Sequence, residues 1–264
     1  MESLNYELTG IKAVFMDLDG TLYLGNNPIE GVNEFLERLS EREIKKFYLS
    51  NNSSRSKKDY ISKLASFGII ATEQEILLST DDLLGWLGNN NFSKTYTIGT
   101  KSMCEMLEEN GINTNSEDPE IIVLGYDTEI NYDKLTKSSI FLHRGIPLVA
   151  SHPDTVCPSP DGGLPDVGAY LALLEATTGV KPMHICGKPN PGMLNHKIKE
   201  LGLQAEQVAM IGDRLYTDIE MANRVGCLSV LVLSGEATTE DATNASQKID
   251  VIVESVSKLI VGSN

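Results

Sequence analysis

The chain has 264 residues, 41% hydrophobic and 22% charged, which suits a soluble globular protein of one large α/β domain or two smaller ones. A formal net charge of −15 sets it against nucleic-acid phosphates and anionic membrane surfaces, so neither is expected as a partner. No apolar run approaches the roughly 20 residues that span a bilayer, and positions 1–10, with Glu2 and Glu7, lack the apolar stretch of a signal peptide.

Along the chain, apolar segments alternate with helical patterns, as in βαβ units around a parallel sheet. Strands are expected at 13–16, 46–49, 96–98, 121–124, 148–150, 184–186, 208–211 and 229–233, with a last one at 251–253 near the sheet edge. Helices are expected at 32–40, 57–67, 101–110, 191–201 and 217–225, read as ending at glycine. The Pro/Gly-rich piece from Cys157 to Pro165 reads as a long ordered loop. Cys104, Cys157, Cys186 and Cys227 lack Cys-x-x-Cys spacing and are expected to be buried thiols of a reducing, cytoplasmic protein. In that compartment the Asn91-Phe92-Ser93 sequon carries no meaning.

Four polar motifs each follow an apolar strand. Asp17-Leu18-Asp19-Gly20-Thr21 leaves the first strand with two carboxylates spaced i, i+2, at the sheet end where open α/β folds place their ligands. Carboxylates held that close repel unless a cation or proton compensates. Ser50-Asn51-Asn52 offers a hydroxyl and backbone N–H groups suited to phosphoryl oxygens; taken alone, it reads more readily as a turn and helix N-cap. In Gly187-Lys188-Pro189 the lysine is an aimed point charge or an ordinary surface cation. It is not a Walker lysine, for Pro follows it and no upstream glycine has the right spacing. Gly212-Asp213-Arg214-Leu215-Tyr216-Thr217-Asp218 places Asp213 at a strand end and Asp218 near a helix start, where it can also serve as an N-cap. The motifs fall in two blocks, 13–54 and 187–218, which implies a discontinuous first domain, 1–80 with 183–264, and an inserted second domain, 81–182.

This ordered set resembles the haloacid dehalogenase (HAD) superfamily of aspartate-dependent phosphatases, over nearly the whole chain. The place of the insertion is similar to the subclass with a type II cap. Leu49-Ser50-Asn51-Asn52-Ser53-Ser54-Arg55, Cys186-Gly187-Lys188-Pro189 and Leu233-Ser234-Gly235 are similar to its NagD-like, p-nitrophenyl phosphatase branch. The fold so implied is a Rossmann-like parallel-sheet core with an inserted α/β cap. The activity so implied is Mg2+-dependent hydrolysis of a small-molecule phosphate ester such as a sugar phosphate or nucleoside monophosphate. By the same resemblance Asp17 is the nucleophile and Asp19 the general acid and base. The ion takes Asp17, the Asp19 carbonyl and Asp213, with Asp218 supporting that shell and orienting Lys188. Ser50 and the backbone around Leu18, Gly20, Asn51 and Asn52 hold the phosphoryl group.

In the cap, 150–154 resembles an Ala-Thr-Asn-x-Asp pattern and 165–169 a Pro-Gly-x-Gly-Ala pattern, with His152 and Asp166 as the departures. His152, Asp154 and Asp166 are therefore expected to bear on substrate choice. Asp19 argues against a dehalogenase, which needs neither a second acid nor Mg2+, and the short path from Leu22 to Pro28 leaves little room for a phosphomutase cap. His143, His184 and His196 have no convergent Ser or Cys in the pattern, so a Ser-His-Asp hydrolase is not supported. Trp86, among Leu83, Leu84 and Leu87, is expected to pack a cap helix. A phosphotransferase, or a weakly active phosphate- and Mg-binding module, is the alternative. A homodimer through the cap is expected by analogy alone.

Overall fold

The computed structural model describes residues 6–157 and 162–261. The chain forms two compact units, one from Met1–Ser50, Tyr60–Leu77 and Lys188–Asn264, the other from Asn51–Asp59 and Leu78–Gly187.

The first unit is built on a six-stranded sheet in the order Val251–Val253, Leu228–Val232, Val208–Gly212, Ala13–Asp17, Lys45–Ser50, Ile76–Leu78. From Val251–Val253 to Lys45–Ser50 every neighbouring pair is parallel. Burial on both faces explains why these strands read as unbroken apolar runs rather than alternations. Ala13, Val14, Phe15 and Met16 are all fully buried, and the Phe15 and Phe47 rings stack 4.9 Å apart. On one face Phe15, Phe47, Leu49 and Met210 meet Met193, Leu194, Ile198 and Met221.

The second unit has its own parallel sheet, ordered His184–Ile185, Leu148–Ala150, Ile121–Leu124, Thr95–Ile98. Period-two alternation divides Ile121–Leu124 between two cores. Ile122 and Leu124 join Phe141, Leu142 and Leu174, while Ile121 and Val123 join Leu83, Leu87, Met103 and Leu107. Trp86 stacks on His184 at 5.0 Å and on Phe92 at 5.7 Å, so it packs the Ser79–Asn89 helix.

Several expectations need correction. Ile76–Leu78 is an additional strand at the edge of the core sheet, too short to stand out by pattern. The Val32–Glu41 helix has no terminal glycine: Arg42 caps it and Glu43 takes φ 56°. Expected helix 217–225 is two pieces, a π-turn at Leu215–Ile219 running into the α-helix Glu220–Val225. The loop read across Cys157 to Pro165 has paired flanks, Val156–Cys157 antiparallel to Leu164–Pro165, while Pro158, Ser159, Pro160 and Asp161 lie outside the described residues. Of the cysteines only Cys186 and Cys227 are buried; Cys104 and Cys157 are half-buried, and no disulfide occurs among the described residues. No helix among those residues is long and apolar enough to cross a membrane.

Candidate active site

In the core sheet the chain proceeds from Ala13–Asp17 outward through Lys45–Ser50 to one edge, then returns on the other side through Val208–Gly212 and Leu228–Val232. The strand order therefore reverses between Ala13–Asp17 and Val208–Gly212, and the carboxyl ends of strands at such a reversal are the usual ligand site of these sheets. Met16 lies in register with Ile211 and Asp17 with Leu49. Asp17, Ser50 and Asp213 thus emerge at one edge of the sheet.

Asp17, Asp213 and Asp218 each present an oxygen to one group of atoms lying within 4.8 Å of one another. Lys188 stands among them, only 3% exposed, with its Nζ bonded to Asp17 Oδ1 and 2.8 Å from Asp218 Oδ1. Asp218 is fully buried, and its Oδ2 accepts from the Arg214 N–H at 3.1 Å across the π-turn. Neither a helix N-cap nor a surface lysine describes these two residues; π-turns recur at functional sites. Backbone space is made by glycine: a Cβ at Gly212 would stand 2.3 Å from Asp218 Cβ, and one at Gly20 2.2 Å from Asp213 Oδ2.

Burial is the main reason Asp17 is pushed up to about 8; Lys188 opposes the rise, and Asp218 and Asp213 add to it. Asp213 rises to about 6, again from burial first and then Asp218. For Lys188 burial works against the charge, but Asp17 and Asp218 outweigh it and raise the ammonium above its ordinary value. One lysine thus faces two buried carboxylates and a third that is partly exposed, and the surplus is negative. Lys188→Met is expected to destabilise the protein by about 3–5 kcal/mol, the cost of stranding buried charge without its partner. Urea unfolding in EDTA measures this; an unchanged midpoint would mean that the lysine does not hold these acids.

The remaining residues singled out from the sequence divide between the two units. Asp19 is exposed and its carboxylate is not in the group of three. Leu18 is buried, and its carbonyl accepts from the Leu22 N–H at 2.9 Å. Gly20, at φ 86°, gives its own N–H to the Tyr23 carbonyl at 2.7 Å, so its contribution is conformational. Ser50 Oγ lies 2.8 Å from the Tyr60 hydroxyl.

In the second unit, Asn51 Nδ2 donates to both Asp154 oxygens at 3.1 and 3.2 Å, and Asn52 Oδ1 closes a turn onto the Ser54 N–H at 2.9 Å. His152 is fully buried between two carboxylates, Nδ1 3.8 Å from Asp154 and Nε2 3.6 Å from Asp166. Asp166 is the N-cap of the Val167–Thr178 helix and accepts from the Val167 N–H at 2.6 Å, an assignment its residue type already permitted. Arg214 and Glu236, paired at 2.9 Å beside Asp213, escaped the sequence reading, because their partnership joins two separate strand-end loops.

Two family models match the chain, Haloacid dehalogenase-like hydrolase over residues 14–113 and HAD-hydrolase-like over 185–259. The 5'-nucleotidase YutF of Bacillus subtilis is 30% identical over 250 residues, 94% of this chain and 97% of its own. The chain belongs to the haloacid dehalogenase-like hydrolases. Among solved HAD structures, a 4-nitrophenylphosphatase from Thermotoga maritima superimposes with a TM-score of 0.91 at 36% identity, covering 94% of this chain and 96% of that one. A glycerol phosphate phosphatase from Mycobacterium tuberculosis, in complex with magnesium, gives 0.87 at 26% identity, covering 94% and 76%. The chain is a phosphoric monoester hydrolase of the NagD-like branch, with a Rossmann-like parallel-sheet core and an inserted α/β cap.

Proposed function

We propose that this phosphatase hydrolyses a small-molecule phosphate monoester in a Mg2+-dependent reaction through a phosphoryl-Asp17 intermediate. In this reading the first unit is the catalytic core, and the second unit, which carries His152, Asp154 and Asp166 and takes in Asn51–Asp59 and Leu78–Gly187, is the part that discriminates among substrates. The observation that carries it is the group of Asp17, Asp213 and Asp218 around Lys188 at the strand-order reversal.

The residues suit a divalent ion. All three donors are carboxylate oxygens, the chemistry that Mg2+ prefers. Asp213 Oδ1 is buried and has no hydrogen-bond partner, an expensive state for a charged acceptor unless a cation takes it. The magnesium-bound mycobacterial relative supports the same choice of ion. When bound, Mg2+ neutralises surplus charge on the carboxylates and on the phosphoryl oxygens. Asp17 and Asp213 would ligate it with the Asp19 carbonyl, and Asp218 would stand behind them.

The chain's own groups then divide the work. An Asp17 oxygen attacks phosphorus while the bond to the leaving oxygen breaks, and Asp19 gives that oxygen its proton. Asp19, now a carboxylate, takes a proton from water; the water oxygen attacks phosphorus, and the bond to Asp17 breaks to release inorganic phosphate. Lys188 and the Ser50 hydroxyl supply positive charge and a hydrogen bond to the phosphoryl oxygens, where positioning and charge neutralisation govern the rate.

The test is release of 4-nitrophenol from 4-nitrophenyl phosphate, with Mg2+ and with EDTA, beside nucleoside monophosphates, sugar phosphates and glycerol phosphate. Mg2+-dependent release supports the reading; no release, or release indifferent to EDTA, overturns it. Phosphorylated acceptor alcohol in place of free phosphate would make the protein a phosphotransferase. In the same preparation Mg2+ at about 100 times its dissociation constant should add about 2.7 kcal/mol. At about 2–4 °C per kcal/mol for a chain of this size, the melting temperature should rise by on the order of 5–10 °C. Differential scanning calorimetry reads the shift, and Asp213→Asn should abolish it.

A further inference from the structure

The stretch Ser234-Gly235-Glu236, which follows the Leu228–Val232 strand, has no part in the chemistry above, yet it lies directly against Asp213. The Glu236 N–H donates to Asp213 Oδ2 at 2.7 Å, and the Ala237 N–H donates to the Asp213 carbonyl at 3.1 Å. One carboxylate oxygen is thereby fixed, and the other, Oδ1, is the buried oxygen that lacks a hydrogen bond. Gly235 is required for space, not for an unusual φ: a Cβ there would stand 2.1 Å from Asp213 Oδ2.

The loop is itself tied down at both ends. Ser234 Oγ donates to the Gly20 carbonyl at 2.7 Å, which fastens it to the turn that follows Asp17 and Asp19. The Glu236 carboxylate pairs with Arg214 Nε at 2.9 Å and accepts from the Tyr216 hydroxyl at 3.3 Å, which fastens it to the turn that follows Asp213. Three strand-end loops are thus joined through two residues. The Glu236 side chain is 47% exposed, and an ion pair so open to solvent contributes little to overall stability. Its consequence is geometric.

We propose that Ser234 and Glu236, the latter anchored by Arg214, are positioning residues that hold Asp213 with one oxygen turned to the divalent ion. This deepens the metal-dependent reading and rests on it. Groups that orient a ligand in this way change metal affinity by about 10–100-fold when removed.

Arg214 makes the idea decidable. Asp17 is the acid that most strongly favours its charge. Considered only as a charge, Arg214 repels a cation, so its removal should tighten Mg2+ binding. As the anchor of Glu236, its removal should weaken binding. The experiment is a calorimetric titration of the metal-free full chain with Mg2+, substrate absent, for wild type, S234A, E236Q, R214Q and E254Q. The last removes the same charge from the surface pair of Glu254 with Lys258, 3.8 Å apart.

The expected result is a dissociation constant raised by about tenfold or more in S234A, E236Q and R214Q. E254Q should match wild type, and kcat at saturating Mg2+ should change little in any of them. R214Q binding as tightly as wild type or tighter, or S234A binding unchanged, overturns the proposal while the metal-dependent reading stands. A wild type that binds no Mg2+ removes both. Melting in EDTA separates loss of fold from loss of affinity, and neutral S234A decides the matter if a charge variant fails to fold.

Discussion

Asp17→Asn is expected to lower kcat toward 4-nitrophenyl phosphate by about four orders of magnitude or more, because the amide cannot form the phosphoryl intermediate. The loss should come without loss of fold. Burial raises Asp17 to about 8, against the pull of Lys188 and with the repulsion of Asp218 and Asp213, so the ion-free protein holds this carboxyl mostly protonated at neutral pH. Between the ordinary carboxylate range and about 8 the folded state binds more protons than the unfolded chain, so this group's contribution to stability falls as pH rises through that window. An asparagine has no charge to disfavour, and Lys188 keeps Asp218 as a partner at 2.8 Å. In EDTA at pH 8 the variant should therefore melt no lower than wild type. Acid quench with radiolabelled substrate should trap label on wild type and none on the variant. Retention of a tenth or more of the activity would place the nucleophile elsewhere and would leave direct attack by water as the mechanism.

The motifs were legible because each sits where an apolar run stops. Ala13–Met16, Phe47–Leu49 and Val208–Gly212 are buried without interruption, so the carboxyl ends of these strands are sharp, and the polar residue at each end has little freedom of place. What the sequence could not convey was relation across the sheet. Asp213 meets Gly20, Gly235 and Glu236 only because three strand ends are adjacent, and nothing in the spacing of those residues along the chain records it. The π-turn at Leu215–Ile219 was hidden for a similar reason. Its residues are compatible with an ordinary helix start, and the tie between Asp218 and Lys188 acts on the turn from another segment.

Short elements were lost for a different reason. Ile76–Leu78 and the paired flanks Val156–Cys157 and Leu164–Pro165 are too brief to express a period. The N-cap role of Asp166 is compatible with its residue type, since Asp is a favoured N-cap, but the residue type alone does not separate capping from substrate contact. Glu43 took the positive φ that glycine would have marked at the end of the Val32–Glu41 helix. Such a substitution is costly enough to be uncommon, and the glycine rule therefore misleads there.

Asp19→Asn should divide substrates by their leaving groups. Asp19 lies two residues beyond Asp17, past a bend at Leu18, where it is exposed and stands outside the three-carboxylate group. It is thus open to exchange protons with an incoming or departing oxygen, which fits a general acid and base better than a structural ligand. Loss of such a group costs about 10²–10⁴-fold where a proton must be delivered. Glycerol phosphate, whose alkoxide is a poor leaving group, should show this full loss. Nitrophenolate departs without a proton, so the first half of the reaction with 4-nitrophenyl phosphate should proceed at nearly its normal rate. The second half still needs a base to activate water. Stopped-flow mixing should accordingly show a burst of about one nitrophenolate per active site, followed by a slow steady state. Equal losses on both substrates, with no burst, would reduce Asp19 to a residue that shapes the loop, and the proton transfers would then need another donor.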